Sequence, residues 1–315
     1  MIPRKPSATD VLTWVIGSGG LIGRAIASAS PHAFEADSIP WNDDGQAIHV
    51  LTQSLAAFLD VAQGQPWSIV WAAGAGTTVS GDEQFAREVH VFEKFIAALA
   101  TSDHLDHGVF VLISSAGGIH AGSPNPPFDA ATPPAPISPY GNAKLKQEDV
   151  SREELGNLLP LLVCRVSNAY GPGQDLGKQQ GLISRLALCT YKKEPLHLFV
   201  PTSTVRDYVF TRDIAAQVHA WITHVSDTQP KPQTVIVASG QGTSIAQLVK
   251  IAGDVSHRRI PIAMGSHPSA RNQPLDSRFM PTPIPGADFL RSTPLPVGVK
   301  AVFDDVVERL AQATS

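Results

Sequence analysis

The chain has 315 residues, 43% hydrophobic and 17% charged, enough material for one large or two modest domains with buried cores. Its net charge of −4 gives no electrostatic basis for binding nucleic acid or an anionic membrane surface. No apolar run approaches the roughly 20 residues that span a bilayer, and residues 1–6 lack the pattern of a signal peptide, so the expected compartment is the cytoplasm.

In chain order, residues 11–16 read as a buried strand, and a glycine-rich turn at 17–23 opens a helix over 21–29. A second strand is expected within 32–39. Ala47, Val50, Leu51, Leu55, Phe58 and Leu59 recur at helical spacing and predict a helix over 46–61. A strand and turn follow at 67–74. The next helix, 85–100, places Val89, Phe92, Phe95, Ile96 and Leu99 on its apolar side, and a strand at 109–113 ends at Ser114 and Ser115. Seven prolines between Pro124 and Pro139 exclude helix and interior strand there; they make a stiff loop that delivers Tyr140 to a helix start. Strands are also expected at 159–166 and 234–238. Ser244-Ile245-Ala246-Gln247 is a capping box starting a helix to about Gly253.

Strands alternating with helices predict an α/β fold built on a doubly wound parallel sheet. After residue 166 the alternation loosens. Residues 1–166 are therefore expected to form the sheet domain and 167–315 a smaller C-terminal α/β domain, with segments such as 205–225 returning to the first. Cys164 and Cys189 lack metal-ligand spacing and read as buried small hydrophobes, and no histidine cluster suggests a metal.

Two patterns carry chemistry. Gly17-Ser18-Gly19-Gly20-Leu21-Ile22-Gly23 lies between a strand and a helix. There, glycines permit a tight turn, close backbone approach to a pyrophosphate and helix–strand packing, while the helix N-terminus offers unpaired N–H groups. Ala72, Ala73 and Gly74, after the 67–71 strand, are expected beside the same cofactor, with Gly76 close by. The second pattern is Tyr140-x-x-x-Lys144. Residues four apart share a helix face, so the Lys144 ammonium can lie near the Tyr140 phenol and favour its phenolate. Lowering a phenol from about 10 to about 7 takes roughly 4 kcal/mol, which a lysine and a cationic nicotinamide can supply together.

The Gly-x-x-Gly-x-x-Gly loop, together with Tyr140 and Lys144, resembles the extended short-chain dehydrogenase/reductases, in particular the NAD-dependent epimerase/dehydratases. Further segments resemble that family in order: Arg165-Val166-Ser167-Asn168-Ala169-Tyr170-Gly171-Pro172-Gly173-Gln174, the Gln180–Ile183 and Val205–Asp213 segments, and Ser239-Gly240-Gln241-Gly242-Thr243-Ser244. The resemblance covers nearly the whole chain. It implies a Rossmann-type sheet, a bound NAD, a nucleotide-sugar substrate and a homodimer formed through helices near 85–100 and 140–154. In site residues it implies Tyr140 and Lys144 as the catalytic pair, with Ser115 as the hydroxyl that completes it and Ser114 as its alternative. It also implies Asn168, Arg206 and Arg271 as contacts to a nucleotide diphosphate, joined by Asp276.

Several residues stay open at this level. Trp41, Asn42 or Asp43 is expected at the cofactor ribose, where a carboxylate would favour NAD over NADP; Asp43 and Asp44 are alternatively the N-cap and first-turn residues of a helix. NAD is preferred and NADP is not excluded. Arg24 either reaches a phosphate or is a solvated helix residue. His120 stands where the family usually has tyrosine, as a substrate contact or a structural histidine, and His90 stands where the family often has asparagine. Arg206 is a phosphate ligand or an ion-pair partner of Asp207 or Asp213, and Asp213 is expected to cap a helix beginning at Ile214. The leading expectation is an epimerase acting at C4 of the sugar. A keto-sugar reductase is the main rival, favoured by the short stretch between Gly23 and Ala72, and a non-catalytic dinucleotide sensor is a third reading. A dehydratase is disfavoured because Ala116 and Gly117 stand where it would need acidic residues.

Overall fold

A six-stranded parallel sheet organises the chain. The computed structural model describes residues 11–74, 81–177, 181–226, 231–266, 273–287, 290 and 292–312. The first layers are β1 (Leu12–Ile16), α1 (Leu21–Ala29), β2 (His32–Ala33), α2 (Asp44–Ala62), β3 (Trp67–Trp71), α3 (Asp82–Ala100) and β4 (Gly108–Ser115). A short α4 (Ala116–Ile119), α5 (Pro139–Leu155) and β5 (Leu161–Val166) follow. The remainder comprises β6 (Asn168–Tyr170), α6 (Leu182–Lys192), β7 (Leu196–Leu198), β8 (Val205–Phe210), α7 (Thr211–Val225), β9 (Gln233–Val237), β10 (Gly242–Ser244), α8 (Ile245–Ser256), β11 (Ile262–Met264), β12 (Asp276–Ser277) and α9 (Leu295–Gln312).

The strand order is β2-β1-β3-β4-β5-β9. It reverses direction between β1 and β3, which pair from Leu12↔Trp67 to Ile16↔Trp71. In a doubly wound sheet, ligands bind outside the carboxyl ends of the strands at this switch point, here just past Ile16 and Trp71. β3 and β5 are buried along their whole length, as expected for central parallel strands covered on both faces. Alternation along each strand sends side chains to two cores. Trp14, Phe58, Trp71, Phe92 and Phe95 pack on the side of α2, α3 and α5. Val15, Ile26, Val70, Val111, Ile214, Val218 and Trp221 pack on the side of α1 and α7.

A third core, with Tyr170, Leu186, Leu248, Val299 and Val302, joins α6, α8 and α9 beside a small sheet in which β8 pairs with β6, β10 and β12. After residue 166 the chain returns twice to the first layers, with α7 on the face of the sheet and β9 as its sixth strand. No helix among the described residues is long and apolar enough to cross a membrane.

Among the elements that differ from the sequence expectations are β2, α7 and α4. The strand expected within 32–39 is reduced to β2, two exposed residues on an edge with β1 as its partner; Phe34, Ala36 and Ile39 beyond it still pack on the core. Helix α7 starts at Thr211, three residues before the expected Ile214, so Asp213 lies inside the first turn. Its carboxylate accepts from the Thr293 N–H at 2.6 Å and the Thr293 hydroxyl at 2.7 Å. Helix α4 was not expected. Its Ala-Gly-Gly-Ile sequence has weak helical preference, yet Ser115 caps it by accepting from Gly118 N–H at 3.1 Å.

Candidate active site

Gly17 has φ +91°, in the left-handed region, and a Cβ there would stand 2.6 Å from the Ala73 nitrogen. A Cβ on Gly23 would strike the Gly17 carbonyl. These two glycines let the β1–α1 turn press against the end of β3. Gly19 and Gly20 are different: a Cβ on Gly19 meets nothing within 4 Å, and Gly20 caps α1 without a side chain. The turn thus leaves an unobstructed backbone surface leading to the first-turn residues Leu21 and Ile22, a shape and polarity that fit a pyrophosphate. Arg24 donates to the Gly19 carbonyl at 2.8 Å and the Gly173 carbonyl at 3.4 Å, so it braces this loop against the segment after β6.

A cavity of about 670 Å³ extends from Gly17, Gly19 and Gly20 past Ala72, Ala73 and Gly74, and Glu88, Val91 and Gln147 line it as well. Trp41, Asp44 and Arg87 also line it, with the half-exposed Trp41 indole edge-on to Trp71 at 6.3 Å. The two adjacent acids divide their roles. Asp43 caps α2, accepting from Gln46 N–H at 3.0 Å. Asp44 faces the cavity and takes a forked contact from Arg87, Nη2 at 2.8 Å and Nε at 3.1 Å, which holds its carboxyl below the usual range. Ala75 and Gly76 lie outside the described residues.

The reacting end is built where α5 begins. Ser138 caps the helix, accepting from Gly141 N–H at 3.1 Å, and Pro139 fixes its first turn. Gly118 and Gly141 allow α4 and α5 to touch: a Cβ on Gly141 would strike the Gly118 carbonyl, and one on Gly118 would stand 3.0 Å from the Tyr140 ring. Phe85 of α3 packs on the same tyrosine, with ring centroids 6.0 Å apart. The Ser115 side chain approaches the Tyr140 phenol closely enough to oppose the effect of its burial. Lys144 donates to the Ile113 carbonyl and to Gln147 Oε1, both at 3.2 Å.

The electrostatics correct the simplest expectation for this pair. Burial pushes the Tyr140 phenol above its ordinary value; the Ser115 side chain works against this, and the Glu88 carboxylate adds to it. Burial lowers Lys144 to about 8, opposed by the carboxylates of Glu88 and Glu148. The ammonium is taken up by two oxygen acceptors, so the protein alone does not favour the phenolate.

Ser114 belongs to a different set. Strand alternation turns it away from Ser115, and its hydroxyl donates to Glu148 at 2.6 Å. Glu148 also receives Arg165, Nη2 at 2.8 Å, and Arg152 at 2.8 Å. Arg165 Nη1 lies 3.2 Å from His120 Nε2. Because arginine can only donate, Nε2 accepts and the ring proton sits on Nδ1, directed at the Ser123 hydroxyl 3.4 Å away. His120 is 1% exposed and stacked on Phe128 at 5.6 Å. Burial, followed by the Arg165 charge, lowers it to about 4, which favours a neutral ring in the structural role, one of the two readings open from sequence. Ser114, the alternative catalytic hydroxyl, is bound into this network instead.

The remaining candidates scatter. His90 is exposed, whereas Glu88, two residues earlier on α3, faces the cavity. Its helical phase is the signal that the sequence reading passed over. Asn168 donates to the Asp207 carbonyl at 2.8 Å, joining β6 to β8. Arg206 pairs with neither Asp207 nor Asp213; its Nη1 donates to the carbonyls of Pro274 at 2.7 Å and Val205 at 3.0 Å. Buried Asp207 instead ties together Ser167, Ser239 and Gln241. Asp276 pairs with Arg278 at 2.8 Å, and Arg271 lies outside the described residues. Cys164 and Cys189 are both buried thiols, and no metal-binding group of His, Cys, Asp or Glu occurs among the described residues.

Comparison with known proteins bears on this arrangement. The chain is 32% identical over 123 residues to dTDP-L-rhamnose 4-epimerase of Burkholderia thailandensis, an alignment covering 38% of this chain and 33% of that protein. It spans between 33% and 48% of the length of the first curated relatives it matches. Among solved structures, it superposes on UDP-glucuronic acid 4-epimerase of Bacillus cereus, in complex with UDP-glucuronic acid and NAD, with a TM-score of 0.73 and 17% identity, covering 95% of this chain and 99% of that one. RMD of Pseudomonas aeruginosa, complexed with NADPH, gives a TM-score of 0.73 and 18% identity over 96% of this chain and 99% of its own. At these identities the two structural likenesses establish the fold. Residues 14–238 match the NAD dependent epimerase/dehydratase family, and with the glycine loop, Tyr140 and Lys144 all inside that span, the chain belongs to this family.

Proposed function

We propose that the chain is an NAD-dependent epimerase of a nucleotide-diphosphate sugar, acting at C4 through a keto intermediate. The observation that carries this reading is the placement of Tyr140 against the Ser115 side chain, with Lys144 one turn further along α5 and close to Gly74 at the cavity that begins at the glycine loop. A bound nicotinamide supplies the hydride acceptor and donor. Tyr140 removes the proton of the sugar hydroxyl as the C–H electron pair leaves the same carbon, so O–H and C–H bonds break and a carbonyl forms. After the keto sugar turns over, hydride returns to the opposite face and Tyr140 gives the proton back, leaving no net oxidation. Ser115 holds the reacting oxygen. Burial keeps the phenol protonated in the protein alone, so the cation of the oxidised ring and Lys144 are together needed to release it.

Asn168, Arg206 and Arg271 remain our candidates for the nucleotide diphosphate, whose oxygens match the arginine donors. We also infer a homodimer through α3 and α5. Their outward residues include Lys94, Lys146, Asp149 and Glu153, so the contact would rest on ion pairs and loosen with salt. A reductase is the second reading, supported by the two-residue β2 and the short stretch that holds it. Release and assay of the nucleotide in freshly purified protein separates the two. Tightly held NAD supports the epimerase; empty protein that consumes NADPH with a keto sugar overturns it.

A further inference from the structure

Glu88 lines the cofactor cavity from α3, and the mechanism above gives it no task. Its Oε2 lies 3.6 Å from the position a Gly74 Cβ would take, and Lys144 Nζ lies 3.8 Å from that same position. An anion and a cation therefore flank the turn after β3, next to the tyrosine at which hydride must leave the substrate. Glu83 and Asp44 also line the cavity. Arg87, on the same helix, is forked onto Asp44. On α5, Glu148 is held by Arg165, Arg152 and Ser114, and Gln147 is neutral. Of the groups facing Lys144 and Tyr140, Glu88 is the carboxylate that lines the cavity.

We propose that Glu88 is the charge-balancing residue of the cofactor site, favouring the oxidised, cationic nicotinamide over its reduced, neutral form. The inference rests on the cofactor reading above. A nicotinamide close enough to take hydride beside Tyr140 also lies beside Lys144. In its oxidised form it brings a second positive charge to a partly desolvated corner, where like charges repel more strongly than in water. The Glu88 carboxylate offsets that repulsion, and its contribution disappears when the ring accepts hydride and becomes neutral. An amide at the same place could hydrogen-bond but not supply this term. The consequence suits an epimerase, whose cycle begins and ends with oxidised cofactor. The same carboxylate holds the Tyr140 proton more firmly, so deprotonation is coupled to arrival of the cationic ring.

The test is the ratio of NADH to NAD dissociation constants, measured by calorimetry on the full chain at neutral pH. Glu88→Gln is expected to move the ratio about tenfold towards NADH, the size of one unit of charge acting across a short distance. Glu88→Asn should move it the same way, and Glu88→Asp should keep most of the wild-type ratio. A ratio unchanged within about twofold in both amide variants overturns the proposal while leaving the cofactor reading intact. A wild-type protein that binds neither nucleotide overturns both.

Discussion

The Ser114 hydroxyl donates to Glu148 at 2.6 Å, and this one bond separates two serines that stand side by side in the sequence. Ser114 is fixed into a buried charged network. Its neighbour Ser115 stays outside that network, capping α4 and meeting Tyr140.

Substitution should therefore split the pair. Ser115→Ala is expected to lower kcat about a hundredfold, the usual effect of losing one positioned donor at a reacting oxygen. Ser114→Ala should leave kcat within a few-fold but cost about 1–3 kcal/mol of stability, because a buried carboxylate loses a partner. Steady-state kinetics and denaturant unfolding of both variants decide it. Equal loss of turnover in the two would contradict the assignment.

The glycine loop should show a similar division. A Cβ at Gly23 strikes the Gly17 carbonyl, whereas one at Gly19 meets open space. Gly23→Ala is expected to destabilise the fold by about 1–3 kcal/mol through overpacking. Gly19→Val should leave the melting temperature unchanged and weaken NAD binding at least tenfold, since its side chain would occupy the approach to the pyrophosphate. Unchanged NAD affinity in Gly19→Val means that the cofactor lies elsewhere.

His120 gives the protein a pH dependence of stability. Its folded-state value, about 4, lies below the ordinary 6.5, so the unfolded chain binds more protons between these limits. The contribution of a neutral His120 is complete above pH 6.5 and is lost as pH falls towards 4, about 3 kcal/mol in all. In His120→Gln, which keeps an acceptor for Arg165, unfolding free energy should fall less steeply over this window. Parallel curves for the two proteins would show that His120 does not titrate in this way.

The sheet was largely legible because its signals are local. The apolar runs of β1, β3, β4 and β5, the capping box at Ser244, and the proline-rich loop each act on nearby residues. The Ser244 box forms in full, Gln247 N–H to Ser244 at 3.1 Å and Ser244 N–H to Gln247 at 2.8 Å. What escaped depended on distant partners. Nothing near His120 in sequence announces that Arg165, 45 residues on, points at its ring. Asp213 is tied to Thr293 across 80 residues. Glu88 and His90 differ by two positions on a helix, about 200° of rotation, and only packing of α3 against α5 decides which one faces the cavity. Helix α4 was hidden by glycines whose value lies in their contact with Tyr140 and Gly141, not in helical preference.

The central claim is that Tyr140 cycles a proton during inversion at a sugar carbon without net consumption of cofactor. Its most direct test follows a UDP- or dTDP-hexose by NMR with wild type and Tyr140→Phe, while absorbance reports reduced nicotinamide. Wild type should interconvert the two C4 epimers with no steady rise or fall of reduced cofactor. Tyr140→Phe should slow this by about a thousandfold, within the range for loss of a positioned acid–base group. Stoichiometric consumption of reduced cofactor, or undiminished inversion by Tyr140→Phe, would contradict it.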